Sequence, residues 1–249
     1  SVSQLYRTIE PEHILQTNGA TGANFLALFS LIEPGDHIIS LYPTYQQLYE
    51  IPKSLGAELE YWQIKEELNW LPDLDDLRQL IRPQTKMICL NNANNPTGAV
   101  MDDVFLKEVA TIAASVGAYV LVDEIYTSFS ENNNSSIVDL YENGIAVNSL
   151  SKTYSLAGIR IGWGAANEKV ISILRDYRDY TLICAGVFDD MVAQLALENR
   201  QAIWKRNHRI IHENLSILDH WVSMQPRASY IKPAFVSTSL VKLDVPIPI

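Results

Sequence analysis

Cysteine is nearly missing from this chain: Cys89 and Cys184 are the two in 249 residues, and they stand far apart. That excludes a disulfide scaffold and fits a reducing compartment, so the expected location is cytoplasmic. Both thiols read as small buried hydrophobes, the usual place of a free cysteine. Long apolar runs are missing too. No stretch approaches the roughly 18 residues needed to cross a bilayer, so no membrane association is expected. Residues 1–10 have no basic segment leading into an apolar one, which excludes a secretory signal there. Excess positive charge is absent: the formal net charge is -10. Nucleic-acid binders are usually basic, so no nucleic-acid partner is expected. An acidic total still permits a locally basic pocket. The phosphate loop G-x-x-x-x-G-K-[ST] is absent, and the glycines between 158 and 164 miss the spacing of G-x-G-x-x-G. No internal repeat or low-complexity tract occurs. The first residue is Ser1 and not Met, and the expectation is a piece of a longer chain.

Apolar residues make up 47% of the sequence, enough for one large domain or a domain with a fragment of another. Short strand-like runs fall at 37–41, 86–90, 119–122, 145–150 and 159–163, with helix-type segments between them. Residues 102–116 show the helical kind. Asp102 or Asp103 can cap the start, Phe105, Leu106, Val109, Ile112 and Ala113 recur at helical spacing, and Gly117 ends it. Apolar strands alternating with such helices predict a three-layer α/β/α domain around a mostly parallel sheet. Residues 130–136, rich in Asn and Ser, read as an exposed loop. Residues 187–218 read as one long helix, and 229–243 as strand material opening a second, smaller α+β unit. The expected division is therefore 1–218 for the large domain and 219–249 for the incomplete start of a small one.

Four motifs follow in order: Asn94-Asn95-Pro96-Thr97-Gly98, Asp123-Glu124-Ile125-Tyr126, Ser149-Leu150-Ser151-Lys152, and Arg160-Ile161-Gly162. Each alone has an ordinary explanation, as a turn, a strand-end carboxylate or a surface lysine. Together they gather. Asn95, Asp123 and Lys152 each follow an apolar strand, and open α/β sheets bind ligands beyond the carboxyl ends of their strands. A fifth stretch, Asn18-Gly-Ala-Thr-Gly22, leads into the helical run 23–32, and a glycine-rich turn into a helix N-terminus is a ready anion site. His208 and His212 share a helix face, which reads as a solvated surface and not as a metal site.

Across residues 8–243 the chain resembles the class I/II aminotransferases, the fold-type-I enzymes that use pyridoxal 5'-phosphate (PLP). The strongest part runs from Ser149 through Lys152 and Arg160 to Trp163. The resemblance implies that Lys152 carries PLP as a Schiff base and that Arg160 binds its phosphate. Asp123 is implied to keep the pyridine nitrogen protonated, and Tyr126 and Asn95 to donate to the phenolic oxygen. Tyr45 is implied to stack on the ring, while Tyr42 and Tyr49 are expected to be packing residues. Ala20, Thr21 and Ser149 complete the implied phosphate cradle, with Ser151 the less secure match. The catalytic residues expected are Lys152, Asp123 and Tyr126.

The sequence departs from the family at Ala93, where Pro is usual; an effect on turn stiffness alone is expected. The family's substrate-carboxylate Arg would lie beyond Ile249, and its N-terminal segment before Ser1. The expected activity is transfer of an amino group between an amino acid and a 2-keto acid, in a homodimer. The alternatives are another PLP reaction on the same scaffold (a β-lyase, a synthase or a cyclase) or a PLP-sensing module without catalysis, since a fold does not fix its function.

Overall fold

The β-branched and aliphatic runs become strands, and the amphipathic segments between them become helices. The structure is a computed structural model, and it describes residues 1–126, 135–233 and 236–246. In chain order the elements are β1 (Ile14–Asn18), α1 (Gly19–Leu31), β2 (His37–Tyr42), α2 (Gln47–Ser54), β3 (Glu58–Lys65), β4 (Leu71–Pro72) and α3 (Leu74–Leu80). There follow β5 (Thr85–Asn91), α4 (Asp103–Ala114), β6 (Tyr119–Asp123), β7 (Gly144–Ser149), β8 (Ile161–Ala166) and α5 (Glu168–Arg178). The described chain closes with α6 (Val187–Glu198), α7 (Arg200–Ser223), β9 (Ala228–Tyr230) and β10 (Val241–Leu243).

The described residues form an eight-stranded sheet in the order β1-β8-β7-β6-β5-β2-β3-β4. The five inner strands from β7 to β3 are parallel, while β8 runs against both β7 and β1. Successive side chains of a strand point to opposite faces, and here both faces are covered. Ile38, Met87, Cys89, Leu121, Ile145 and Val147 pack toward α1, α2 and α5. Ile39, Ile88, Leu90, Val120, Val122 and Ala146 pack toward α3 and α4. Burying each such side chain contributes about 1.5–3 kcal/mol, so the two layers hold the sheet as a rigid platform. The mixed, mostly parallel sheet with helices on both faces is the architecture expected.

Several local expectations change. The segment 58–65 is a strand, where the sequence reading places only helix-type segments between 41 and 86. It lies near the sheet edge, where its outward positions meet water and its inward Trp62 is fully buried. β1 was likewise unmarked, a short edge strand paired with β8. Helix α1 starts at Gly19 and not at residue 23, so the glycine-rich turn is its first turn. The long helix 187–218 is two, α6 and α7, which meet at Asn199. Cys89 is buried as expected, but Cys184 is exposed, because it lies on the segment between α5 and α6 and not in either layer. Of the loop 130–136, residues 130–134 lie outside the described residues. Ser135 and Ser136 are buried, because both donate to carboxylates, Ser135 to Asp103 and Ser136 to Glu124. Among the described residues no helix is long and apolar enough to cross a membrane.

Candidate active site

The carboxyl ends of β5, β6 and β7 point to one edge of the sheet. Strand β8 runs the other way, so its beginning, at Arg160, reaches the same edge. Helix α1 presents its N-terminus there. A cavity of about 220 Å³ opens at this place. Its walls include Ala20, Thr21, Tyr45, Asn95, Asp123, Tyr126, Lys152 and Arg160. Eight of the nine residues singled out from the sequence therefore share one cavity. Ser149 does not line it. Its side chain is fully buried behind Ser151, and its Oγ accepts the Ser151 N–H at 3.1 Å. Ser151 lines the cavity in its place.

One end of the cavity is built for an anion. Asn18, the N-cap residue of α1, makes no side-chain capping bond, and no acidic residue occupies the first turn. The first N–H groups of a helix have no partner within it, and an anion satisfies them. Arg160 sits above them in a left-handed conformation, φ +49°, uncommon for a residue with a side chain. Its Nη1 donates to the Ala157 carbonyl at 2.7 Å, which aims the guanidinium. Gly19 makes room for it: a Cβ at that position would lie 2.4 Å from Arg160 Nη2. Gly162 allows the strand itself to come close. A Cβ there would lie 2.3 Å from the Gly19 carbonyl carbon and 2.6 Å from the Ala20 nitrogen.

The other end is built around a carboxylate. Asp123 is 2% exposed. Its Oδ2 accepts from Asn24 Nδ2 at 2.7 Å, and its Oδ1 from the Ile125 N–H at 3.2 Å. Burial pushes its pKa up to about 6, against the lowering pull of those two bonds. No cation pairs with it among the described residues. Asn91 carries both sides of the wall: its Nδ2 donates to the Asp123 carbonyl at 2.9 Å, and its Oδ1 accepts the Asn95 N–H at 2.7 Å. Tyr126 is buried against Ile211 and Leu215 of α7, and its phenol pKa is raised by burial and then by Asp123 and Tyr45.

Beside Asp123, Glu124 is buried with neutral donors alone, the Ser136 hydroxyl and the Ile137 N–H, both at 2.9 Å on Oε1. Burial pushes its pKa up to about 8, so it is protonated at neutral pH. Tyr42 and Tyr49 pack with Tyr61 at the surface, with centroids 4.6–5.9 Å apart, away from the cavity wall.

Asn24 and Asn91 were not singled out from sequence. Asn24 carried a signal, a lone amide inside the apolar run 23–32. A polar group that deep needs a partner. Asn91 sits in the run Asn91-Asn92-Ala93-Asn94-Asn95, where composition does not say which amide turns inward.

Comparison with known proteins agrees with this geometry. The family model described as "Aminotransferase class I and II" matches residues 2–230. An aspartate aminotransferase from Sulfurisphaera tokodaii is 32% identical over 226 residues, covering 86% of this chain and 57% of that protein. A capreomycidine synthase from Streptomyces vinaceus is 30% identical over 197 residues, covering 78% of this chain and 50% of that protein. The crystal structure of a PLP-dependent aminotransferase from Streptococcus suis 89-1591 superposes with a TM-score of 0.97 at 70% identity, covering 99% of this chain and 66% of that one. The chain thus spans about half the length of the curated relatives it matches. With its sheet, its cavity and the match over residues 2–230 in agreement, the chain belongs to the class I and II aminotransferases.

Proposed function

We propose that this chain carries the cofactor half of a PLP-dependent aminotransferase, which moves an amino group between an amino acid and a 2-keto acid. The observation that carries the reading is the gathering of Lys152, Arg160 and the buried Asp123 around one cavity. The residues present fit the cofactor at both ends. Asp123 is a buried carboxylate with neutral donors alone, which a cationic pyridine N–H would complement. The uncapped first turn of α1 and the Arg160 guanidinium would hold a phosphate.

Bound PLP would supply a reactive carbonyl and a ring that accepts electrons from the substrate's α-carbon. The work of the chain is positional and electrostatic. Asp123 would keep a proton on the ring nitrogen, and Asn24 holds Asp123 in place. Tyr126 and Asn95 line the cavity where they would donate toward the ring oxygen, and Tyr45 where it would pack on the ring. Ala20, Thr21, Ser151 and Arg160 would hold the phosphate, with Ser149 bracing Ser151. The Lys152 amine would move the proton away from the substrate's α-carbon and back, as general base and then general acid.

The test is reduction of the PLP-loaded protein with borohydride, followed by peptide mapping. Label on Lys152 supports the reading, and label on a different lysine removes it. A second reading is another PLP reaction on the same residues, which the likeness to a synthase favours. Cofactor-holding residues do not separate the two. A half-reaction with and without a keto-acid acceptor does: turnover that needs no acceptor belongs to the second reading.

The same proposal includes a homodimer in the cytoplasm. Exposed apolar side chains on α1 and α6, among them Phe25, Phe29, Phe188, Met191 and Leu195, support the first part, and two unpaired cysteines support the second. Light scattering over a range of concentrations tests the dimer. It also includes the division into a large domain, 1–218, and the beginning of a small one, 219–249. In its support, β9 and β10 pair with each other and not with the main sheet.

A further inference from the structure

Lys152 has a long, exposed side chain, so the place of its amine is set by its backbone. That backbone is held from outside the cavity. Thr153, the next residue, is fully buried. Its Oγ1 donates to the Ile125 carbonyl at 2.9 Å, and its own carbonyl accepts from Asn207 Nδ2 of α7 at 2.8 Å. Asn207 is 5% exposed, and its Oδ1 in turn accepts from Arg206 Nη1 at 2.8 Å. Because the Ile125 N–H already serves Asp123, one line of hydrogen bonds runs from the Asp123 carboxylate through Ile125 and Thr153 to α7. Neither Thr153 nor Asn207 lines the cavity.

We propose that Thr153 and Asn207 are positioning residues that fix the reach of the Lys152 amine relative to Asp123, and that α7 thereby sets the geometry of the site. This rests on Lys152 being the cofactor-bearing lysine. Thr153 has bonds in two directions, so the Lys152 backbone cannot slide toward or away from the β6 end without breaking one of them. A merely structural role for the two residues would lower stability and leave the chemistry of Lys152 unchanged. A positioning role acts on the rate at which the amine reaches its target.

The experiment follows PLP binding in two stages: capture of the cofactor, and the bond between Lys152 Nζ and the aldehyde carbon, formed with loss of one water. Absorbance and borohydride quenching at set times read the second stage separately from the first. Thr153→Val keeps the shape and removes the hydroxyl, Thr153→Ser restores the donor, and Asn207→Leu removes the other bond. Circular dichroism and melting confirm that each variant is folded. Expected is bond formation about tenfold slower or more in Thr153→Val and Asn207→Leu, with Thr153→Ser close to wild type. The capture affinity should change little, since Arg160, Ala20 and Thr21 are untouched. If either variant fails to fold, the other carries the test. Wild-type bond formation in a folded Thr153→Val or Asn207→Leu protein, with a lower melting temperature alone, overturns this inference and leaves the proposed function standing. Absence of label on wild-type Lys152 overturns both.

Discussion

The Asn24 side-chain amide donates to the Asp123 carboxylate at 2.7 Å, joining the middle of α1 to the end of β6 across 99 residues of sequence. It is a neutral donor to a buried acid, so it favours the ionised form against the cost of burial. Its loss has a readable direction. Asn24→Leu should push Asp123 further above its pKa of about 6. A lost hydrogen bond to a charged group corresponds to about one pH unit or more. A carboxyl-carbon NMR titration of the cofactor-free protein should therefore show the Asp123 transition displaced upward by that amount. An unmoved transition would mean that Asn24 does not govern Asp123.

Replacing the acid itself separates binding from chemistry. Asp123→Asn keeps the shape and the donors' positions but cannot hold a ring proton by charge. PLP should remain bound through the phosphate end, while turnover falls by roughly 100-fold or more. Equal turnover in wild type and variant would strip Asp123 of its role.

Arg160→Ala acts at the opposite end. A charge-assisted contact to phosphate contributes about 1.5–3 kcal/mol, which is roughly tenfold to a hundredfold in affinity. PLP should dissociate more readily by that factor, with a smaller effect on turnover once the cofactor is saturating. An equilibrium titration matching wild type would contradict the phosphate assignment.

Glu124 predicts a pH dependence of stability. Its folded pKa of about 8 lies above the ordinary value of 4.5, so folding favours its protonated form. The contribution is full below about 4.5, declines as pH rises toward 8, and is gone above it. Glu124→Gln keeps an acceptor for Ser136 and Ile137 without the ionisation. The variant should gain on the order of 1–3 kcal/mol over wild type at pH 9, and lose that advantage by pH 5. Denaturant melts at the two pH values measure it. A constant difference between the proteins would show that Glu124 does not titrate on unfolding.

The parts of this molecule that were legible before its structure are those whose cause is local. Asp123, Lys152 and Arg160 follow apolar runs or sit in short motifs, and proximity along the chain carries them to one edge. Asn24 is legible only in part: a lone amide in an apolar run needs a partner, but its partner stands 99 residues away and nothing local names it. β3 is harder to read because its alternation of polar and apolar residues breaks at Tyr61-Trp62, which weakens the two-residue period. Cys184 was misjudged because the usual burial of cysteine says nothing about the single segment it occupies. The break at Asn199 was missed because the apolar spacing continues almost evenly across it. Ser149 illustrates a finer limit. A hydroxyl three residues before the lysine can face the cavity or stand behind it, and only the turn of the backbone decides.

Gly162 carries a consequence beyond its own position. Strand β8 and the start of α1 meet there backbone to backbone, with less than the width of a methyl group between them. The phosphate end of the cavity is therefore calibrated by a hydrogen atom. Adding one carbon at residue 162 would move no charged group and delete no donor. It would force β8 and the Gly19–Ala20 peptide apart where the helix begins. The shape of this end of the cavity is in that sense a matter of clearance, written in a residue that has no chemistry of its own.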